Sequence, residues 1–341
     1  MKNLTLMSSK YIDQNVNKRK GETKFGEHVK VLSDSTNIYA DLLNLDVDYV
    51  ILGISEDVGV YANSGKQGTR KAWKTFIKTL LNTQSNDRLN AKKVLVLGHL
   101  SYPSFQKSIT SIDRFKKKNL RKIRELVSEI DKDVSYLISQ IVKAGKTPII
   151  VGGGHNNAYG IIKGSALAHN AALNVINLDA HSDFRPEEGR HSGNGFSYAY
   201  AEGFLKNYFI LGLQDNYTSH NLFNTLSKIK DIKYSTLDTI KVCKTLSFEE
   251  ALKLGLDHVN SKKFGVELDC DAIKNIASSA MTPSGFSIEE ARRYLYVSSQ
   301  NSNACYLHIC EASPNKKNKV QIGKLISFLV TDFIKGHSQN P

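Results

Sequence analysis

The chain has 341 residues, of which 40% are hydrophobic and 23% charged, a balance that excludes a disordered or collagen-like chain. Its formal charge is +13, and its four cysteines form no CxxC pair, so neither a zinc ribbon nor a disulfide framework is indicated. No apolar run approaches the ~20 residues that cross a bilayer, and "MKNLTLMSSKYIDQ" has neither the apolar segment nor the cleavage site of a secretory signal; the expected location is cytoplasmic.

Residues 1–44 are polar and weakly patterned and read as an arm or irregular start, ahead of a single α/β domain over 45–341. From there short apolar runs alternate with helical patterns. "DYVILGIS" (from Asp48) and "KKVLVLG" (from Lys92) flank a helical stretch at 67–81. A long helical pattern over 112–144 ends before Gly145, a good terminator. Its basic run, "RFKKKNLRKIRELVSEI", sets Phe115, Leu120, Ile123, Leu126 and Val127 at helical spacing. The lysines there are expected to form a solvated outer face, not a nucleic-acid patch. "KTPIIVGGG" (from Lys146) precedes a helix at 156–168. "LNVINLDA" (from Leu173), "NYFILGLQ" (from Asn207) and "DIKYST" (from Asp231) follow, then a helix at 248–260. "FGVELDCD" (from Phe264), a helix at 288–299, "ACYLHICEA" (from Ala304) and an amphipathic closing helix, "QIGKLISFLVTDFIKG", complete the chain. Several of the runs are apolar at nearly every position, as strands buried on both faces are. The alternation predicts one parallel sheet with helices on both faces.

In such sheets ligands bind outside the carboxyl ends of the strands. There the sequence sets His155, then Asp179, His181 and Asp183, then Asp269 and Asp271, and last Glu311. Five carboxylates and two imidazoles in one cleft repel and take up protons unless cations are bound. In extended chain, residues i, i+2 and i+4 point to one side, so Asp179, His181 and Asp183 present three ligands together and Asp269 with Asp271 two more. With His155 these suffice for a two-metal centre. Mixed imidazole and carboxylate donors suit Mn²⁺, Fe²⁺, Co²⁺ or Zn²⁺, and the four carboxylates without a thiolate favour a harder ion such as Mn²⁺.

"GGGH" (Gly152 to His155), "DAHSD" (Asp179 to Asp183), "ELDCD" (Glu267 to Asp271) and "EASP" (Glu311 to Pro314) resemble the motifs of the ureohydrolases, the family of arginase, agmatinase and formimidoylglutamase. "NSGKQGTRKAWKTF" (from Asn63) is similar to the family's Gly-rich segment before its first helix. The resemblance implies an arginase-like three-layer α/β/α sandwich around a central eight-stranded parallel sheet, with two Mn²⁺ per chain. It implies His155 and Asp183 as terminal ligands of one ion, His181 and Asp271 as terminal ligands of the other, and Asp179 and Asp269 as bridges. It also implies a hydrolase of C–N bonds in linear amidines. Two cations lower the pKa of a shared water, Glu311 holds the amidine or guanidine group, and Asp183 is placed to relay a proton. A homo-oligomer is implied as well.

The chain departs from arginase and agmatinase where "RHSGNGFSYA" (Arg190 to Ala199) stands for their "HGxP" segment. The proton-shuttling histidine there becomes Ser192, and His191 lies one residue off. The acid and proline that usually follow the DxD motif are also missing. Arg185, two residues after "DAHSD", looks like formimidoylglutamase and offers a bidentate clamp for a carboxylate; the alternative is a structural pair with Glu187 or Glu188. Ser192 and Asn194 join Arg185 and Glu311 as candidate substrate contacts. The expected reaction is N-formimidoyl-L-glutamate plus water to L-glutamate and formamide, a step of histidine degradation. The alternatives are another ureohydrolase (arginase, agmatinase or a guanidino-acid hydrolase) and, in a different class, a non-catalytic or nucleic-acid-binding relative, which only the basic balance favours.

Overall fold

The computed structural model describes residues 1–32, 34 and 37–339. Among them nine strands form one sheet: β1 Leu4–Leu6, β2 Tyr49–Ser55, β3 Val94–Ser101, β4 Thr147–Val151, β5 Leu173–Leu178, β6 Leu205–Leu213, β7 Ile232–Thr236, β8 Phe264–Asp269 and β9 Ala304–Cys310. Their spatial order is β1-β3-β2-β4-β9-β8-β5-β6-β7. Strands β2 to β9 are mutually parallel and correspond to the eight apolar runs of the sequence.

The side-chain period of two splits the core between the two faces of the sheet. In β2, Val50, Leu52 and Ile54 pack into one cluster and Tyr49 and Ile51 into the other. Helices Lys117–Lys143 and Asn157–His169 cover the first face. Helices Ala72–Leu80, Phe248–Val259, Ile288–Ser299 and Lys319–His337 cover the second. This is the expected three-layer sandwich. Each fully buried Ile or Leu contributes about 1.5–3 kcal/mol, so both layers are held mainly by apolar burial. Two helices start at capping boxes, Ser247 with Glu250 and Ser287 with Glu290, which satisfy free backbone N–H groups.

Two expectations change. Residues 1–44 are not a loose arm over their described part. β1 pairs antiparallel with β3, Leu4 opposite Leu100 and Leu6 opposite Gly98, and Phe25 and Leu42 are fully buried. Gly98 permits the pairing: its φ is +131°, and a Cβ there would lie 2.0 Å from the Thr5 carbonyl oxygen. Apolar anchors spaced this far apart leave no periodic signal. The long helix also starts late, at Lys117, after a separate helix Pro103–Thr110. Phe115 therefore lies outside its apolar stripe and is 83% exposed, while Ile123 and Val127 are buried as expected.

Candidate metal centre

The four central strands, β4, β9, β8 and β5, end side by side, and each delivers part of one cluster. His155 follows β4 after a turn of three glycines. Gly152 and Gly153 adopt φ of +95° and +76°, which only glycine takes at little cost. That turn aims the Gly154 amide at Glu56 and the His155 amide at Glu311, at 3.1 and 2.8 Å. Asp179, His181 and Asp183 follow β5, Asp269 ends β8 with Asp271 in the short turn after it, and Glu311 follows β9. Asp183 and Glu311 hold left-handed φ of 45° and 60°, conformations that cost roughly 1–3 kcal/mol outside glycine and collect at functional sites.

His155 Nδ1 lies 2.8 Å from Asp183 Oδ2 and 3.2 Å from Oδ2 of both Asp179 and Asp269. One nitrogen cannot donate to three oxygens, and its geometry satisfies no hydrogen bond to any of them. Four donor atoms lie within 4.8 Å of one another. Converging lone pairs of this kind fit a cation. Asp179 turns its other oxygen to a second position: Oδ1 lies 3.6 Å from His181 Nδ1, and Asp271 Oδ2 lies 4.0 Å from the same nitrogen. Asp179 Oδ1 and Asp269 Oδ1 also accept the amides of His181 and Asp271, both at 2.7 Å, which fixes each DxH and DxD turn. The all-nitrogen-and-oxygen donor set suits two ions of the Mn²⁺ type.

The electrostatics agree. Burial and the neighbouring carboxylates raise Asp183 and, more strongly, Asp269. Burial, then Asp271, pushes Glu311 up to about 8. Burial by itself lowers His181, but Asp179, Asp271 and Asp183 lift it to about 10. Without cations the cluster holds itself together with protons, and divalent ions replace them.

Some supporting residues are not among the candidates that the sequence singles out. Glu267, fully buried in β8, lies 3.4 Å from His155 Nε2. It is held by His308 Nδ1 at 2.6 Å and the Tyr306 hydroxyl at 2.8 Å. Nε2 makes no hydrogen bond at that distance, yet a carboxylate behind the ring favours the Nε2–H tautomer and leaves Nδ1 free to face the acids. Glu56 accepts from Val58, Asn157 and Gly154 beneath the glycine turn. Tyr217 stacks on His181 with ring centroids 5.3 Å apart. Cys270 points away from both flanking acids into the core, where burial raises its thiol well above the ordinary range.

A cleft of about 300 Å³ opens above the cluster, lined by His181, Asp183, Asp271, Glu311, Arg185 and Ser192 among others. Glu311 Oε2 is buried and unpartnered among the described residues. Arg185 donates to Asn63 Oδ1 at 2.7 Å and to Glu188 Oε1 at 3.1 Å, so the structural pair with Glu188 is present and the guanidinium also lines the cleft. Asn63, which also lines it, donates to the Ser192 hydroxyl at 3.1 Å.

Asn194, expected as a substrate contact, is corrected. It is fully buried, takes Arg190 and the His191 amide on Oδ1 and gives its amide to Pro186 and Gly189. Its hydrogen-bonding capacity goes to tying the 185–194 loop together. His191 is likewise buried, accepting from the Gly193 amide and facing Glu188, and burial followed by three nearby arginines lowers it to about 3.

The sequence profile described as Arginase family matches residues 47–333. A formimidoylglutamase of Streptococcus pyogenes is 30% identical over 212 residues, a match spanning 58% of each chain; the chain thus spans little more than half the length of that curated relative. The Bacillus subtilis formimidoylglutamase structure superposes with a TM-score of 0.72 at 17% identity, covering 95% of both chains. The Trypanosoma cruzi formiminoglutamase structure with Mn²⁺ gives 0.71 at 18% identity, over 90% of this chain and all of that one. Among the described residues no helix is long and apolar enough to cross a membrane.

Proposed function

Because the chain belongs to the arginase family, we propose that it hydrolyses a C–N bond of a linear amidine, that its substrate is N-formimidoyl-L-glutamate, and that it works with two Mn²⁺ ions. One observation carries the reading: the cleft has an unpartnered carboxylate oxygen of Glu311 at the metal cluster and the Arg185 guanidinium on its wall. A substrate with a cationic amidine and a carboxylate matches both. Agmatine has no carboxylate and brings an amine toward Arg185. The relatives named formimidoylglutamase support the same choice.

In this reading His155, Asp179, Asp183 and Asp269 would hold one ion, and His181 and Asp271, beside Asp179 and Asp269, would hold the other. When bound, the pair supplies a water acidified into a nucleophile at neutral pH. Glu311 accepts the amidine N–H groups and holds the electrophilic carbon in place. Asp183 accepts the proton released by the attacking water and passes it toward the leaving nitrogen. Arg185 binds a substrate carboxylate, with Asn63 and Ser192 completing that wall. Histidine degradation in the cytoplasm is the matching context.

The test is a panel of formimidoylglutamate, arginine and agmatine with Mn²⁺-loaded protein, alongside metal analysis. We expect close to two equivalents of metal and turnover of formimidoylglutamate alone. Equal turnover of agmatine, or folded protein that retains at most one equivalent, overturns the reading.

A further inference from the structure

A second cavity, of about 850 Å³, shares no lining residue with the cleft. Its floor is apolar, built from Met7, Trp73, Ile77 and Pro314. Its rim carries Arg70, Lys71, Lys74, Lys316 and Lys319, all exposed, and no acidic side chain lines it. Of these five cations only Arg70 makes an ion pair among the described residues, with Asp57 at 3.8 Å. His99 stacks on the Trp73 ring with centroids 6.1 Å apart, which gives the cavity a flat wall. Thr5 to Ser8 and Tyr11 close another side; they lie outside the family match at 47–333.

We propose that this cavity is a ligand site for a small organic anion, one bearing a phosphate or carboxylate on a flat apolar body. The volume and the apolar floor with a few polar groups at the mouth are those of a ligand pocket. Like charges gathered at the mouth of one cavity repel one another, and a bound anion relieves that repulsion. The apolar floor and the edge of the His99–Trp73 pair take the flat body, and the rim takes the charge. Two chain segments reach both cavities: Asn63 and Gly65 line the cleft and Arg70 and Lys71 the second site, as Glu311 does the one and Pro314 and Lys316 the other. The site is independent of the substrate reading above.

Trp73 is the only tryptophan of the chain, so its emission reports occupancy directly. Full-length protein is titrated with ADP and with 2-naphthoate, and with adenosine as the uncharged control, by fluorescence and by calorimetry on the same samples. We expect saturable binding of at least one of the two anions below about 1 mM, weakened by added salt. The exposed charge reversals Lys74→Glu/Lys316→Glu should weaken it about tenfold or more, and Lys71→Ala/Lys319→Ala should weaken it less. Absence of saturable binding by both anions, adenosine binding as tightly as ADP, or full retention of binding in both double variants overturns the proposal.

Discussion

Glu267 touches no part of the cleft, yet its carboxylate stands behind His155 and is itself fixed by Tyr306 and His308. Glu267→Gln should weaken Mn²⁺ binding by about 10–100-fold, read by competition with a chelator; unchanged affinity in folded protein would show that the contact does not orient the ligand. Arg185→Ala should cost about 1.5–3 kcal/mol of binding, seen mostly in KM for formimidoylglutamate, with metal content unaltered. An unchanged kcat/KM removes Arg185 from the substrate site. His191 gives a pH prediction. Its pKa is about 3 in the fold against about 6.5 unfolded, so between those values the unfolded chain binds more protons and stability falls as pH falls. His191→Gln should be less stable at pH 7 and lose less on acidification from about 6.5 to 4. Parallel acid limbs for the two proteins contradict this. The six proposed ligands were legible because they close apolar strands; the contact of Glu267 was not, because an acid inside an apolar strand looks the same whether it faces a histidine or a void.

At the scale of elements, the loop 185–194 carries Arg185 and Ser192 to the cleft and is anchored by Arg190. That side chain is buried, pairs with Asp131 at 2.9 Å and donates to the Asn156 carbonyl at 2.7 Å. It packs against the rings of both Tyr159 and Tyr198. Breaking a buried pair from one side leaves an uncompensated charge, so Asp131→Ala should destabilise the protein by about 3–5 kcal/mol, measured by denaturant unfolding. A loss below 1 kcal/mol would mean that the loop does not depend on the pair. Asp131 does leave a trace in the sequence, an acid on the buried face of helix Lys117–Lys143 between Ile130 and Val134, but its partner 59 residues away leaves none.

At the scale of the molecule, the cluster joins the ends of β4, β5 and β8, strands separated in sequence by long crossovers. Ions bound there link them and are absent from the unfolded chain, so each site at 100 times its Kd adds about 2.7 kcal/mol. Chelation should lower Tm by several degrees, reversed by Mn²⁺; an identical Tm with and without the ion contradicts a shared centre.

What the sequence determined by itself was local and periodic: eight strands from continuous apolar runs, their helices, and the DxHxD and DxD segments whose alternation points donors to one side. Tertiary structure decided the rest, because only packing brings distant residues together. It turned Asn194 inward by using its whole amide in the loop, buried His191 against Glu188, and set Glu267 behind His155. It also closed a cationic cavity with residues 5–11, whose sequence is too short and too polar to announce a strand.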